Sequence, residues 1–141
     1  MHDGGRRAKQ PLFSAAAGGY AAVLVAATHY PTPEDFLGPN SPSDKLLHFV
    51  AYLILGILTA AAVVARRRLG WRAAVFLVAG LAVFAALDEI TQPLFHRAAE
   101  PFDWVFDCAG IVAGIGLVAI GAARWPKSAD RGSPTASSTP S

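Results

Sequence analysis

The 141-residue chain is 53% hydrophobic and only 16% charged, with a mean hydropathy of +0.39. Ordinary soluble domains carry about 25% charged residues, so a conventional water-soluble fold is excluded. The net charge of +2 and pI near 9.0 do not signal a nucleic-acid partner, because the basic residues flank long apolar runs, where positive charge has a topological cause. The single cysteine, Cys108, excludes an intramolecular disulfide framework and any multi-cysteine metal site.

In chain order, a basic leader with Arg6, Arg7 and Lys9 precedes an apolar run from Leu12 to Tyr30. That run exceeds the usual 7–15-residue core of a signal peptide, so it reads as a retained helix. The segment Tyr30–Ser43 holds Pro31, Pro33, Pro39 and Pro42, which excludes a continuous helix. A second span is expected over Asp44–Ala65, with Ser43 or Asp44 suited to cap its first turn and the Arg66–Arg68 triplet and Gly70 ending it. A third span covers Trp71–Leu87 and carries Asp88 and Glu89 in its last turn; a loop runs from Pro93 to Pro101; a fourth span covers Phe102–Ala123. Each run is about 17–22 residues, enough to cross a hydrocarbon core of about 30 Å.

The predicted fold is therefore all-α, a four-transmembrane-helix bundle. Residues 1–11 form a basic cytoplasmic leader, 12–123 the membrane domain, and 124–141 a disordered cytoplasmic tail rich in Ser, Pro and Thr. With four spans, nearly all Lys and Arg fall on one side and only Lys45 and Arg97 on the other. Positive-inside then predicts a multi-pass protein of the cytoplasmic membrane with both termini in the cytoplasm.

The acids sort the opposite way. Glu34, Asp35, Asp44, Asp88, Glu89, Glu100, Asp103 and Asp107 all fall near the extracytoplasmic end. Topology does not require this, since Asp and Glu contribute little to orientation. Asp44, His48 and Tyr52 stand at four-residue steps and share one face of the second span. Asp88, Glu89 and Gln92 close the third span, and Asp103 and Asp107, again four apart, open the fourth. Asp107 and His48 lie about one turn, some 6 Å, inside their helix ends. An ionised carboxylate facing lipid at that depth costs several kcal/mol, so these groups are expected to face the bundle. Arg97 and Lys45 are the two cations on that side, and the acids outnumber them.

The string Asp44-Lys45-Leu46-Leu47-His48-Phe49, with Tyr52 and Gly56, resembles the first signature of the VanZ-like family of small bacterial membrane proteins. The second signature is matched by Asp88-Glu89-Ile90-Thr91-Gln92, Arg97, Asp103-Trp104, Asp107, Gly110 and Gly114; together the two cover about half of the chain. The family often has Gly before the loop arginine, where this chain has His96, and many members carry Asn where Asp107 stands. The resemblance implies a small multi-helix membrane protein, whose founding member is associated with low-level resistance to the glycopeptide teicoplanin. It implies no settled biochemical activity.

Two classes of function follow from the polar residues. In the first, the cluster binds or modifies the polar head of a lipid-linked or peptidoglycan-related envelope ligand at the outer face. Asp88, Glu89 and Asp107 are then candidate general acids or bases and His48 a proton shuttle. Asp44, Lys45, Gln92, Arg97 and Asp103 are candidate ligand-binding groups, with Arg97 and Lys45 gripping phosphate or carboxylate. In the second, the chain is a non-enzymatic assembly protein whose charged cluster is a structural plug or a hard-cation site built from the same acids and His48. No zinc-type spacing is present, no metal ligand is assigned, and the cofactor stays unknown. The bilayer is the implied partner, and homo-oligomerisation stays open. His29 and His96 read as solvated. Tyr52, Trp71, Trp104 and Trp125 read as packing or interfacial residues, and Cys108 as an inert apolar one. Gly110 and Gly114 offer a small-xxx-small edge for close helix approach.

Overall fold

The computed structural model describes residues 4–30, 44–66, 69–95 and 100–124, with side chains from residue 11 onward. These residues form α1 (Gly4–Thr28), α2 (Asp44–Arg66), α3 (Trp71–Thr91), a 3-10 turn (Gln92–Phe95) and α4 (Pro101–Arg124). The expected all-α bundle is observed, and four helices among the described residues are long and apolar enough to cross a membrane. The expected boundaries hold to within a few residues, except at α1, which starts at Gly4 and runs through Pro11. The proline-rich segment, the end of the arginine triplet, the loop bearing His96 and Arg97, and the chain after Arg124 lie outside the described residues.

Side-chain partition follows the solvent that such helices meet. Phe76, Val83, Ile90 and Leu117 are exposed on the outside, while seven polar or charged residues are buried, among them His48, Asp88, Asp103 and Asp107. In water this distribution would be strongly unfavourable; in lipid the apolar exterior costs nothing and the polar interior finds partners. Leu24, Tyr52, Leu55, Ala60, Ala85, Ile111 and Ile115 make the apolar core.

The seam between α2 and α4 organises the bundle. A Cβ built at Gly56 would stand 2.9 Å from Ile111 O, and Cβ atoms at Gly110 and Gly114 would crowd Phe49 O and Leu53 O still more closely. Only glycine lets the two backbones approach this far, as in small-xxx-small membrane pairs. The pairing of Lys45 with Asp103, His48 with Asp107 and Leu53 with Gly114 shows that α2 and α4 run parallel. The other two helices flank this pair antiparallel to their neighbours. Helix α1 lies on α2 through Tyr20 Oη donating to Ala51 O (3.1 Å) and Arg66 donating to Ser14 Oγ (2.8 Å). Helix α3 lies on α4, where Trp104 Nε1 donates to Ala82 O (3.0 Å). This topology brings the C-terminal ends of α1 and α3 and the N-terminal ends of α2 and α4 to one end of the bundle, called the acidic end below.

Candidate functional site at the acidic end

Helical four-residue spacing sets the site. His48, one turn after Asp44 on α2, faces Asp103 and Asp107, one turn apart on α4. His48 Nδ1 lies 2.9 Å from Asp107 Oδ1. A carboxylate oxygen accepts, so Nδ1 carries the hydrogen and the ring is fixed in orientation. His48 Nε2 then looks towards Asp103 Oδ2 at 3.9 Å, beyond hydrogen-bond range. Asp103 is 2% exposed, and its Oδ1 has no hydrogen-bond partner among the described residues. The nearest cation, Lys45 Nζ, lies 3.7 Å from that oxygen but donates to the exposed Glu100 Oε2 at 3.0 Å.

The two acids that end α3 have different surroundings. Asp88 Oδ2 accepts from Tyr52 Oη and Asp88 Oδ1 from Thr28 Oγ1, both at 3.0 Å. One carboxylate therefore joins α1, α2 and α3. Glu89 turns the other way: Oε2 accepts from Gln92 Nε2 at 3.1 Å, and Oε1 accepts the backbone N–H of Glu100 in a short contact. Glu100 immediately precedes α4, so Glu89 satisfies a donor at that helix entrance and fixes where α4 starts. Ligand atoms of Asp44, His48 and Asp103 lie within 4.8 Å of one another, and so do those of His48, Glu89 and Asp107. Both sets share His48 and draw on two or three helices.

The polar cluster thus joins the two stretches whose residues resemble the family signatures: one from Asp44 to Gly56 on α2, the other from Asp88 on α3 to Gly114 on α4. The VanZ/LLP1 family model matches residues 14–122. The chain belongs to the VanZ/LLP1 family. No curated protein and no solved structure gives a significant match to it.

In this VanZ/LLP1 protein the structure brings together Asp44, Lys45, His48, Asp88, Glu89, Gln92, Asp103 and Asp107. Arg97 and His96 lie outside the described residues. Three residues have other surroundings than their sequence positions suggested. His29 is not solvated: its side chain is 10% exposed, Nδ1 donates to Val25 O (2.8 Å), Nε2 meets Thr91 Oγ1 (2.9 Å), and the ring packs edge-on against Phe95. It also stands 3.5 Å from Asp88 Oδ1. Tyr52 is fully buried but is more than packing, since its hydroxyl holds Asp88. Thr28, within the first apolar run, supplies the other bond to Asp88. Apolar composition gives no sign of Thr28 or His29. Their place at the end of a span entering the acidic end was the only available signal.

Beside the cluster, a shallow apolar cavity of about 530 Å3, open to the outside of the bundle, is lined by Lys45, Leu46, Phe49 and Phe106 on the faces of α2 and α4. Lys45 belongs to both features, lining the cavity and pairing with Glu100 and Asp103.

Proposed function

We propose that the protein binds a lipid-linked ligand of the cell envelope, with the lipid chain in the cavity of Leu46, Phe49 and Phe106 and the polar head against Lys45 and the His48 cluster. The observation that carries this reading is the apolar cavity directly adjoining a buried polar cluster, with Lys45 between them. Amphipathic ligands need that juxtaposition: apolar walls for the chain and a few convergent polar groups for the head. Lys45 offers a compact positive charge for a phosphate. The family's link with glycopeptide resistance also supports an envelope ligand. If the head is modified as well as bound, His48, steered by Asp107, is the group suited to move a proton.

A structural role is favoured for Asp88 in particular. Both of its oxygens are engaged in ties between helices, so Asp88 holds the frame while His48, Asp103 and Lys45 face the ligand.

Filling the cavity tests the lipid reading. Leu46 is about half exposed, so Leu46→Trp adds bulk at the cavity without disturbing the core. In detergent micelles, photocrosslinking with a benzophenone-bearing polyprenyl phosphate is expected to label the native protein saturably. Labelling is expected to fall at least about tenfold in Leu46→Trp, the equivalent of about 1.4 kcal/mol. Equal labelling of both proteins would overturn the proposal.

The same reading puts the acidic end outside the cytoplasm, as the asymmetry of Lys and Arg favours. In a Cys108→Ala background, single cysteines introduced at Asn40 and Ala99 are expected to react with a membrane-impermeant maleimide added to whole cells. Labelling only after the inner face is opened would reverse the orientation.

A further inference from the structure

The acidic end holds Asp44, Asp88, Glu89, Glu100, Asp103 and Asp107, against Lys45 as the one lysine or arginine there among the described residues. Most of these acids are satisfied within the protein. Asp88 and Glu89 use both oxygens as acceptors, Asp107 holds His48, and Glu100 pairs with Lys45. Asp103 is different. It is buried, its Oδ1 meets Lys45 Nζ only at 3.7 Å and has no hydrogen-bond partner among the described residues, and its Oδ2 faces a ring nitrogen at 3.9 Å. With Nδ1 bonded to Asp107, the neutral form of His48 turns its Nε2 lone pair towards Asp103 Oδ2 across that gap.

Such a gap is what a cation fills. Oxygen ligands stand about 2.1 Å from Mg2+ and about 2.3–2.6 Å from Ca2+, so ligand atoms on one ion lie about 3–5 Å apart. The 3.9 Å between Nε2 and Oδ2, and the 4.8 Å limit that also takes in Asp44, fall in this range. Metal-bound histidines commonly donate their second ring N–H to a carboxylate, which fixes the tautomer and strengthens the ligand. Asp107 holds His48 in that way. The other triad, His48–Glu89–Asp107, fits less well, because its carboxylate oxygens already accept from His48, Gln92 and the Glu100 backbone.

We propose that Asp44, His48 through Nε2, and Asp103 form a site for one oxygen-preferring divalent cation, oriented by the Asp107 carboxylate behind the imidazole. One imidazole and two carboxylates suit Mn2+, Mg2+ or Ca2+. Asp44 is only half-buried, leaving the ion accessible from the acidic end with coordination positions for water or a ligand oxygen. The site stands on the protein's own atoms; its role rests on the lipid reading, in which the ion would supply the charge that draws a phosphate into a carboxylate-rich cluster.

The test uses the full chain in detergent micelles, stripped with EDTA and titrated with Mn2+ in the absence of any added lipid. Free aqueous Mn2+ gives a sharp electron paramagnetic resonance signal that broadens on binding. The expected result is saturable loss of that signal at one Mn2+ per chain, relieved by Mg2+ or Ca2+. His48→Ala and Asp103→Asn are each expected to weaken binding at least about tenfold, while Glu100→Gln, at the same end but outside the triad, leaves it unchanged. Helical circular dichroism and elution volume check that each variant is folded. Should Asp103→Asn not fold, Asp44→Asn at the accessible rim carries the same expectation. A free signal linear in added Mn2+, or unchanged affinity in folded Asp44→Asn and His48→Ala, overturns the proposal. Leu46→Trp is expected to bind Mn2+ normally, so failure of the lipid reading and failure of the cation site give different results.

Discussion

Replacing Gly110 with leucine is expected to break the bundle, lowering its melting temperature in detergent by about 10 °C or more and shifting much of the protein to aggregate on gel filtration. The cause is local and steric. A single Cβ at Gly110 already meets Phe49 O and Leu53 N of α2, and both are backbone atoms held by the α2 ladder. No rotamer change relieves such a clash, so the helices must part. Overpacking a well-fitted interior typically costs about 1–3 kcal/mol. Contact with rigid backbone puts this case at the upper end, and about 4 °C per kcal/mol gives the expected shift. Leucine adds three more carbons beyond the Cβ, whereas alanine at Gly110 or Gly114 is expected to show a smaller loss of the same kind. Gly80→Ala and Gly116→Ala are the controls. A Cβ at either position meets nothing within 4 Å, and glycine is the poorer helix former by about 0.8–1 kcal/mol, so neither is expected to destabilise. Differential scanning fluorimetry in one detergent compares all five variants with the native protein. A Gly110→Leu protein that melts with the native one would mean that α2 and α4 do not meet along this seam.

The seam also sets the site. Phe49 and Gly110 make the close approach directly beneath His48 and Asp107. The glycine that lets the helices touch thereby fixes the register at which the imidazole reaches its carboxylate. Separating the helices by even an ångström would lengthen a 2.9 Å bond beyond useful range. Gly110→Leu is therefore expected to lose Mn2+ binding even in the fraction that remains folded.

How much of this was legible in the sequence depends on the range over which each contact acts. The spans were legible because a bilayer demands about 20 apolar residues in a row, a local property. The stripe Asp44–His48–Tyr52 and the pair Asp103–Asp107 were legible because four-residue spacing on a helix fixes a face. Gathering these groups at one end followed from the parity of the spans. Pairing was another matter. That Asp88 reaches Thr28 and Tyr52 while its neighbour Glu89 turns to the entrance of α4 depends on the rotation of α3 about its own axis, which packing sets and no local pattern encodes. The part of α1 was hidden for the same reason. Thr28 reads as part of an apolar run and His29 as solvated, and only the seating of α1 against α2 and α3 makes them partners of Asp88.

Asp88 gives the clearest separation between a structural and a chemical role, through two substitutions that look alike. Asp88→Ala removes the acceptor of two hydroxyls from a buried position that is 5% exposed. Thr28 Oγ1 can turn to Val25 O, which already lies 3.1 Å away. Tyr52 Oη has no such alternative among the described residues and is left as a buried, unsatisfied hydroxyl, a loss of about 1–3 kcal/mol; the deleted carboxyl leaves a small cavity besides. A total of about 2–4 kcal/mol is expected, above the average of about 0.6 kcal/mol for a cross-helix hydrogen bond in a membrane, because one side chain ties three helices. Asp88→Asn is expected to cost no more than about 1 kcal/mol. Its amide oxygen can still accept from Tyr52, and its amide nitrogen can donate to Thr28 Oγ1, whose hydrogen then passes to Val25 O. A cycle with Tyr52→Phe checks the tie: the penalties of Asp88→Ala and Tyr52→Phe are expected to be less than additive by about 0.5–3 kcal/mol. Full additivity would mean that the two side chains do not interact. Asp88→Asn then separates the roles. A frame residue predicts a folded protein that still binds Mn2+ and lipid like the native chain, whereas loss of function with stability intact would move Asp88 from the frame into the chemistry.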